Sequence, residues 1–260
     1  MDFPDSKMQS TVEVPSTKRS TAITLNRMAY WVCRHWMALF TVLYGLYVIV
    51  PFLAPVFMAI GITPLGKAIY FIYSFLCHQL PERSFFLFGP KIMVPLSEIQ
   101  ANWKVTDNPL ILRQFVGNSA LGWKVAWSDR MVYMFSSILF LSWIWWIFRK
   151  IVPKASWKVF FLFLLPMAMD GGTHFISDLF GHHQGFRDTN AWLAVISQHA
   201  FTPAFYAGDA WGSFNSIMRM ITGILFGIGI VWFGFPYLEE YFKDQAAWIK
   251  YKFERSKLDL

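Results

Sequence analysis

The chain has 260 residues, of which 55 % are hydrophobic, 19 % aromatic and only 15 % charged, with a net charge of +7. Soluble chains carry about 25 % charged residues, so this composition argues against a soluble globular domain and for the bilayer as solvent. The basic residues sit beside apolar runs (Lys18, Arg19, Arg27 and Arg34 before the first; Arg149, Lys150, Lys154 and Lys158 after another). That placement fits cytoplasmic helix anchors rather than a nucleic-acid surface.

Residues 1–36 are read as a disordered cytoplasmic tail: polar, rich in Ser, Thr and Lys, with neither the apolar core nor the cleavage site of a signal peptide. Met37 to Ile62 is an uncharged apolar run containing Pro51 and Pro55. It exceeds the roughly 20 residues needed to cross a bilayer. Ala68 to Leu80 is shorter and ends in Cys77-His78-Gln79. Its length fits a re-entrant or interfacial helix, or a fifth span. Residues 81–130 read as a long extramembrane loop with one short helix. Further spans are expected at 131–148, 157–175 and 217–237, separated by the basic turn 149–158 and by a second polar loop over 176–216. A charged tail, 239–260, follows. Strand-type alternation is weak, so the predicted fold is all-α: a polytopic membrane helix bundle over 37–238, with four spans, one re-entrant or fifth helix and two long loops.

Charge fixes the orientation. The turn 149–158 holds no acid and belongs inside, as does the basic N-terminal tail. The loop 170–216 has Arg187 against Asp170, Asp178, Asp188 and Asp209 and belongs outside. These agree if Ala68–Leu80 does not cross, with both termini cytoplasmic. If it crosses, either the first basic flank or the turn 149–158 must lie outside. In both cases the polar ends of four segments share one membrane face.

That face gathers the residues able to do chemistry. Intramembrane ionisable groups are functional by default, which singles out His78, Asp170 and His174 as catalytic candidates. Glu82, Arg83, Asp129, Arg130, Arg219 and Thr222 are candidates for ligand binding. Arg forks suit a lipid phosphate or a carboxylate. The alternative is that each Asp–Arg pair merely neutralises itself. Cys77 and His78 are adjacent and so point about 100° apart on a helix, which argues against one shared site. Asp170, His174, Asp178 and His182 recur every fourth residue, a spacing that on one helix could chelate a divalent metal. Gly171, Gly172 and Gly181 weaken the case for continuous helix, and hydrogen bonding at the helix end is the plainer reading. His182, His183, Asp188 and His199 read as exposed loop polars. Cys33 and Cys77 form no disulfide framework.

The motifs also resemble a family. Cys77-His78-Gln79-Leu80-Pro81-Glu82-Arg83-Ser84-Phe85-Phe86 begins the likeness. Gly122-Trp123-Lys124-Val125-Ala126 with Asp129-Arg130, then Pro166 with Asp170-Gly171 and Thr173, and Arg219 with Thr222-Gly223 and Phe226-Gly227, continue it over roughly residues 68–238. Together they resemble the bacterial membrane proteins grouped as domain of unknown function 2085. The resemblance implies a bacterial plasma-membrane protein with few spans and no assigned activity. Ser128 and Met131 stand where that family often has cysteines, and His174 where it often has Gln. It follows from the resemblance that any cysteine-based metal or redox chemistry is lost here or moved onto histidines.

Three functions compete. One is a membrane protein whose polar cluster binds a ligand, lipid or partner. Another is a membrane-embedded enzyme, with or without a metal, acting on a lipid or quinone-like substrate, with His78 or His174 as base, Asp170 as its orienter or a metal ligand, and Arg83, Arg130 and Arg219 as anion clamp. The third is an accessory subunit of a membrane complex. The bilayer, a lipid or another membrane protein is the expected partner, and nucleic acid is not.

Overall fold

The computed structural model of the protein describes residues 16–181 and 183–259. Eleven helices follow in order: α1 Ser16–Arg34, α2 Trp36–Ala59, α3 Thr63–Tyr73, α4 Leu96–Asn102, α5 Pro109–Leu112, α6 Asp129–Phe148, α7 Trp157–Leu179, α8 Phe186–Thr189, α9 Ala191–Ile196, α10 Pro203–Tyr206 and α11 Phe214–Arg255. Three short strands join them: β1 Ser84–Leu87, β2 Gly117–Asn118 and β3 Gly122–Ser128. Among the described residues, four helices are long and apolar enough to cross a membrane: α2, α6, α7 and α11. At 1.5 Å per residue, a helix of 20 residues spans about 30 Å, the thickness of the hydrocarbon core. With 11 residues, α3 is too short for that distance.

Two expectations need correction. The tail read as disordered is helical from Ser16 to Arg34, while residues 1–15 lie outside the described ones. The loop 81–130 is not free of strands. It carries an antiparallel sheet in the order β1-β3-β2, with Ser84 opposite Ser128 and Gly117 opposite Trp123. Periodicity could not reveal β3, because nearly every residue in it is buried and no alternation survives.

The described residues divide into two compact units. One comprises the segments up to Leu39 and from Leu238. There Trp36 Nε1 donates to Glu239 Oε2 at 3.0 Å, and the Trp36 ring stacks on Phe242.

The other, Phe40–Tyr237, holds the bundle and the sheet. Its contacts fix the helix directions. Thr41 bonds Trp143, and Tyr44 packs on Phe135, so α2 and α6 run antiparallel. Phe40 meets Phe235 at the same end. Gly223 lies against Tyr133, Gly227 against Ser137 and Trp145 against Phe235, so α6 and α11 run parallel. A Cβ on Gly227 would come 2.0 Å from Ser137 Oγ; only glycine permits that approach. Gly229 meets Phe163 and Phe233 stacks on Phe160, which makes α7 antiparallel to α11. By contrast α3 folds back along only the second half of α2, from Gly66 beside Ala54 to Tyr73 beside Tyr47. The chain therefore does not return to the end at which α2 began. The starts of α6 and α11 and the end of α7 share one end of the bundle. The aromatic core beneath the sheet (Tyr70, Tyr73, Trp127 and Cys77, against Tyr47 and Phe135) fills the wedge between α3 and α6.

Candidate functional site

At that shared end four arginines and four aspartates interlock. Arg219 of α11 reaches Asp129 of α6 at 2.7 Å and Asp209 at 2.5 Å. Asp209 also takes Arg83 at 2.8 Å, and both outer nitrogens of Arg83 reach Asp178 of α7 at 3.2 Å. Asp170 of α7 takes Arg130 at 2.9 Å and Arg187 at 2.7 Å. Apart from Arg130 and Asp178, which are partly exposed, all of these residues are buried. Four positive charges thus meet four negative ones, as burial demands: an unpaired ion loses several kcal/mol of solvation, paired ions much less.

Local structure aims each member. The segment from Cys77 to Leu80 is irregular, and Pro81–Arg83 forms a single 3-10 turn that leads into β1. Cys77 Sγ accepts from the N–H groups of Gln79 and Ser128 at 3.4 Å each, which ties this segment to the β3–α6 junction. Gln79 adopts a positive φ of 54° and its amide donates to Tyr70 O at 2.9 Å. Lys124 is fully buried in β3 and donates to Gln79 O at 2.6 Å and Arg113 O at 2.7 Å. Burial lowers its pKa to about 7, with Glu82 opposing the shift. Arg187 is fixed by the Ser177 hydroxyl, which accepts its N–H at 3.0 Å, and by Asn190 and Asn215, which both donate to its carbonyl. Burial works against ionisation of Asp209, but the guanidiniums of Arg83 and Arg219 outweigh it and hold the carboxyl well below its ordinary range.

Of the predicted residues, Arg83, Asp129, Arg130, Asp170, His174 and Arg219 come together here, and Thr222 Oγ1 lies 3.5 Å from Asp170. Glu82 is buried nearby and faces His183 at 3.6 Å. The helix continues through Gly171 and Gly172, so Asp170, His174 and Asp178 share a face. Both aspartates are engaged by arginines, and among the described residues no three His, Cys, Asp or Glu side chains converge as a metal would need. His182 lies outside the described residues. His183 and Asp188 are not exposed loop polars: His183 is half-buried between Glu82 and Asp188, 3.9 Å from the latter. Burial lowers the His183 pKa, but Glu82 more than offsets it and the net shift is upward. Sequence reasoning missed Arg187 and Asp209 as members. Their signal was the acid excess of the loop, which called for compensating cations at its base.

A cavity of about 280 Å³ opens at the cluster, lined by His78, Arg83, Ser128, Asp129, Arg130, His174, Asp178, Arg219 and neighbours. The hydrogen bonds fix both histidine tautomers. Arginine can only donate, so the 3.1 Å contact from Arg187 makes His174 Nε2 an acceptor and places the ring proton on Nδ1. Among the described residues that buried Nδ1 has no partner. His78 Nδ1 accepts the Leu80 N–H at 3.2 Å, which puts its proton on Nε2. His78 is exposed overall, but partial desolvation of its ring and the Arg83 guanidinium lower its pKa, which favours the neutral ring. Both rings therefore offer an N–H. As a candidate base, His174 has its acceptor nitrogen occupied by Arg187, and Asp170 stands 4.0 Å from that same nitrogen.

Fold and cluster together define a mainly helical protein with four membrane-length helices and a charge-balanced polar site at one end. No family model matches the chain, and no solved structure matches it. A protein of Methanocaldococcus jannaschii, described only as uncharacterized, is 46 % identical over 48 residues, 16 % of this chain and 31 % of that protein. The chain thus covers less than a third of the length of that relative.

Proposed function

We propose that this chain is an integral membrane protein that binds a polar ligand, a lipid headgroup or a small solute, in the cavity at the Arg–Asp cluster. The observation that carries the reading is the buried Nδ1 proton of His174, a residue in the wall of a cavity flanked by guanidiniums, which has no acceptor among the described residues. A buried donor left unmet costs about 1–3 kcal/mol, and a ligand oxygen supplies what it lacks. Membership in domain of unknown function 2085 belongs to the same proposal and is supported by the motif order given above.

In this reading α3 is re-entrant, because it is short and retraces only half of α2. The end bearing Arg149, Lys150 and Lys154 faces the cytoplasm of a bacterium, both termini lie on that side, and the cavity faces outward. Impermeant maleimide applied to intact cells tests this in a variant lacking Cys33 and Cys77. A cysteine at Val105, which is 87 % exposed, should react, and one at Ile151 should not. The reverse pattern inverts the orientation.

Ligand binding itself is tested by native mass spectrometry after gentle purification. A stoichiometric small molecule or lipid should accompany the wild type and be lost from a folded His174→Leu, Arg130→Gln double variant. A wild type that carries nothing, even after incubation with membrane extract, contradicts the reading.

A further inference from the structure

Resting on that ligand-binding reading, we propose that the cavity takes a phosphate group, held by the first turn of α6 together with Arg130, His78 and His174. Four features of the wall point to an anionic ligand with several acceptor oxygens.

The first is the helix end. Ser128 to Met131, the start of the 20-residue helix α6, lines the cavity; the Ser128 side chain makes no capping bond, and of the first N–H groups that of Ser128 meets Cys77 Sγ at 3.4 Å and that of Arg130 meets Asp129 Oδ1 at 2.7 Å, which leaves those that follow. The N–H groups at a helix start lack intrahelical acceptors, and the helix dipole favours negative charge there. The second is His174, which lines the cavity, is 5 % exposed and has, among the described residues, no acceptor for its Nδ1 proton. It is a separate demand for an oxygen at the same wall. The third is His78, whose proton sits on Nε2 because Nδ1 accepts from Leu80. The fourth is Arg130. One of its outer nitrogens holds Asp170, whereas the other, among the described residues, meets only the Met167 thioether at 3.6 Å. Thioether sulfur is a weak acceptor, so this nitrogen has a stronger bond to gain.

The distribution of charge decides the sign of the ligand. The wall presents three guanidiniums (Arg83, Arg130 and Arg219) against two carboxylates, Asp129 and Asp178. Each of those carboxylates is already engaged by an arginine, at 2.7 Å and 3.2 Å. Asp170 and Asp209 do not line the cavity; they complete the neutrality from behind. A cation would meet a wall whose carboxylates are already engaged by arginines, whereas a phosphate meets donors of the α6 start, Arg130, His78 and His174. Phosphate is preferred over carboxylate because it carries more acceptor oxygens for the several donors of the wall. The location agrees: the starts of α6 and α11 and the end of α7 lie at headgroup depth if these helices span. Phe175, which lines the cavity, is 66 % exposed, suited to an acyl chain.

The ligand source, a phospholipid or a free phosphate compound, is separated by the probes. Delipidated protein in detergent is titrated with dioctanoyl phosphatidic acid, dioctanoylglycerol and glycerol phosphate, with thermal melting of every ligand-free variant to verify folding. Phosphatidic acid should bind at least tenfold more tightly than dioctanoylglycerol. His174→Leu should weaken it by roughly tenfold, in line with loss of one hydrogen bond to a charged group. His174→Asn keeps an amide N–H near the Nδ1 place and should retain most of the affinity. Gly171→Ala is a second route to the same site: its Cβ would stand 3.1 Å from the Arg130 nitrogen and should weaken binding without removing a donor. Glycerol phosphate binding as tightly as phosphatidic acid assigns a soluble phosphate compound; binding by phosphatidic acid alone assigns a lipid. Dioctanoylglycerol binding equally well overturns the phosphate while leaving a ligand site. Unchanged affinity in folded His174→Leu and Arg130→Gln variants overturns this placement, even if the co-purified ligand persists.

Discussion

Two cations are buried on neighbouring elements, and the protein treats them in opposite ways. Arg219, at the start of α11, is clasped by the carboxylates of Asp129 and Asp209 and extends through Asp209 to Arg83. Lys124, in β3, is equally buried, yet its ammonium is held by two backbone carbonyls, Gln79 O and Arg113 O. The first arrangement keeps fixed charges at the edge of a cavity. The second uses a cation as a strut that pins the Cys77–Arg83 segment and the α5 end to the sheet. An ammonium with only carbonyl partners can lose its proton at modest cost, as its lowered pKa shows. A guanidinium between two carboxylates cannot. One site is built to hold shape and the other to hold charge.

Breaking the charged site should have the largest effect. Asp209→Asn leaves Arg83 and Arg219 each short of a carboxylate. Removing one partner of a buried pair costs about 3–5 kcal/mol, measured as lost stability in detergent melts. Asp129→Asn should be similar in kind, and a variant that melts like wild type would show that water already solvates the cluster.

Lys124→Met comes next, at about 1–3 kcal/mol, because two carbonyls lose their donor. Its pH signature sharpens the contrast. The Lys124 pKa is about 7 in the folded state, below its unfolded value near 10.4. Between these values the unfolded chain binds more protons, so the Lys124 contribution makes stability rise with pH from about 7 to about 10. The slope should vanish in Lys124→Met. Asp209 gives the opposite test. Its depressed pKa contributes stability that is present above about pH 4, the unfolded value, and lost as the pH falls through the folded one.

The smallest effect is expected at His183, half-buried between Glu82 and Asp188. Its raised pKa means that its stabilisation is complete below about pH 6.5 and fades as the pH rises through the folded value. His183→Asn should cost about 1 kcal/mol at pH 5.5 and little at pH 9, read from melts at the two pH values. An equal loss at both would make the contact one of packing rather than charge.

The same contrast explains what the sequence could tell. The membrane-length helices were legible because an apolar run of 20 residues has few other uses. The gathering of Arg83, Asp129, Arg130, Asp170 and Arg219 was legible because polar residues at the ends of such runs must meet one another. Arg187 and Asp209 were not, since they sit in a loop without periodicity, and only the closed structure pairs them with α7 and α11. Lys124 was hidden too: a lysine in an extended polar segment looks solvated, and nothing local announces two carbonyls waiting across the sheet. The N-terminal helix is hidden by its polarity, which resembles that of a disordered tail, although Ser16–Arg34 contains neither proline nor glycine to interrupt it.

The central claim, that the charge-holding site exists to bind a polar ligand at one end of a membrane bundle, has a direct test. A structure of the protein in lipid nanodiscs, at a resolution that shows headgroups, should place a ligand oxygen about 2.7–3.2 Å from His174 Nδ1, with Arg187 still on Nε2. A collapsed cavity in which a side chain of the protein itself accepts the Nδ1 proton would contradict it.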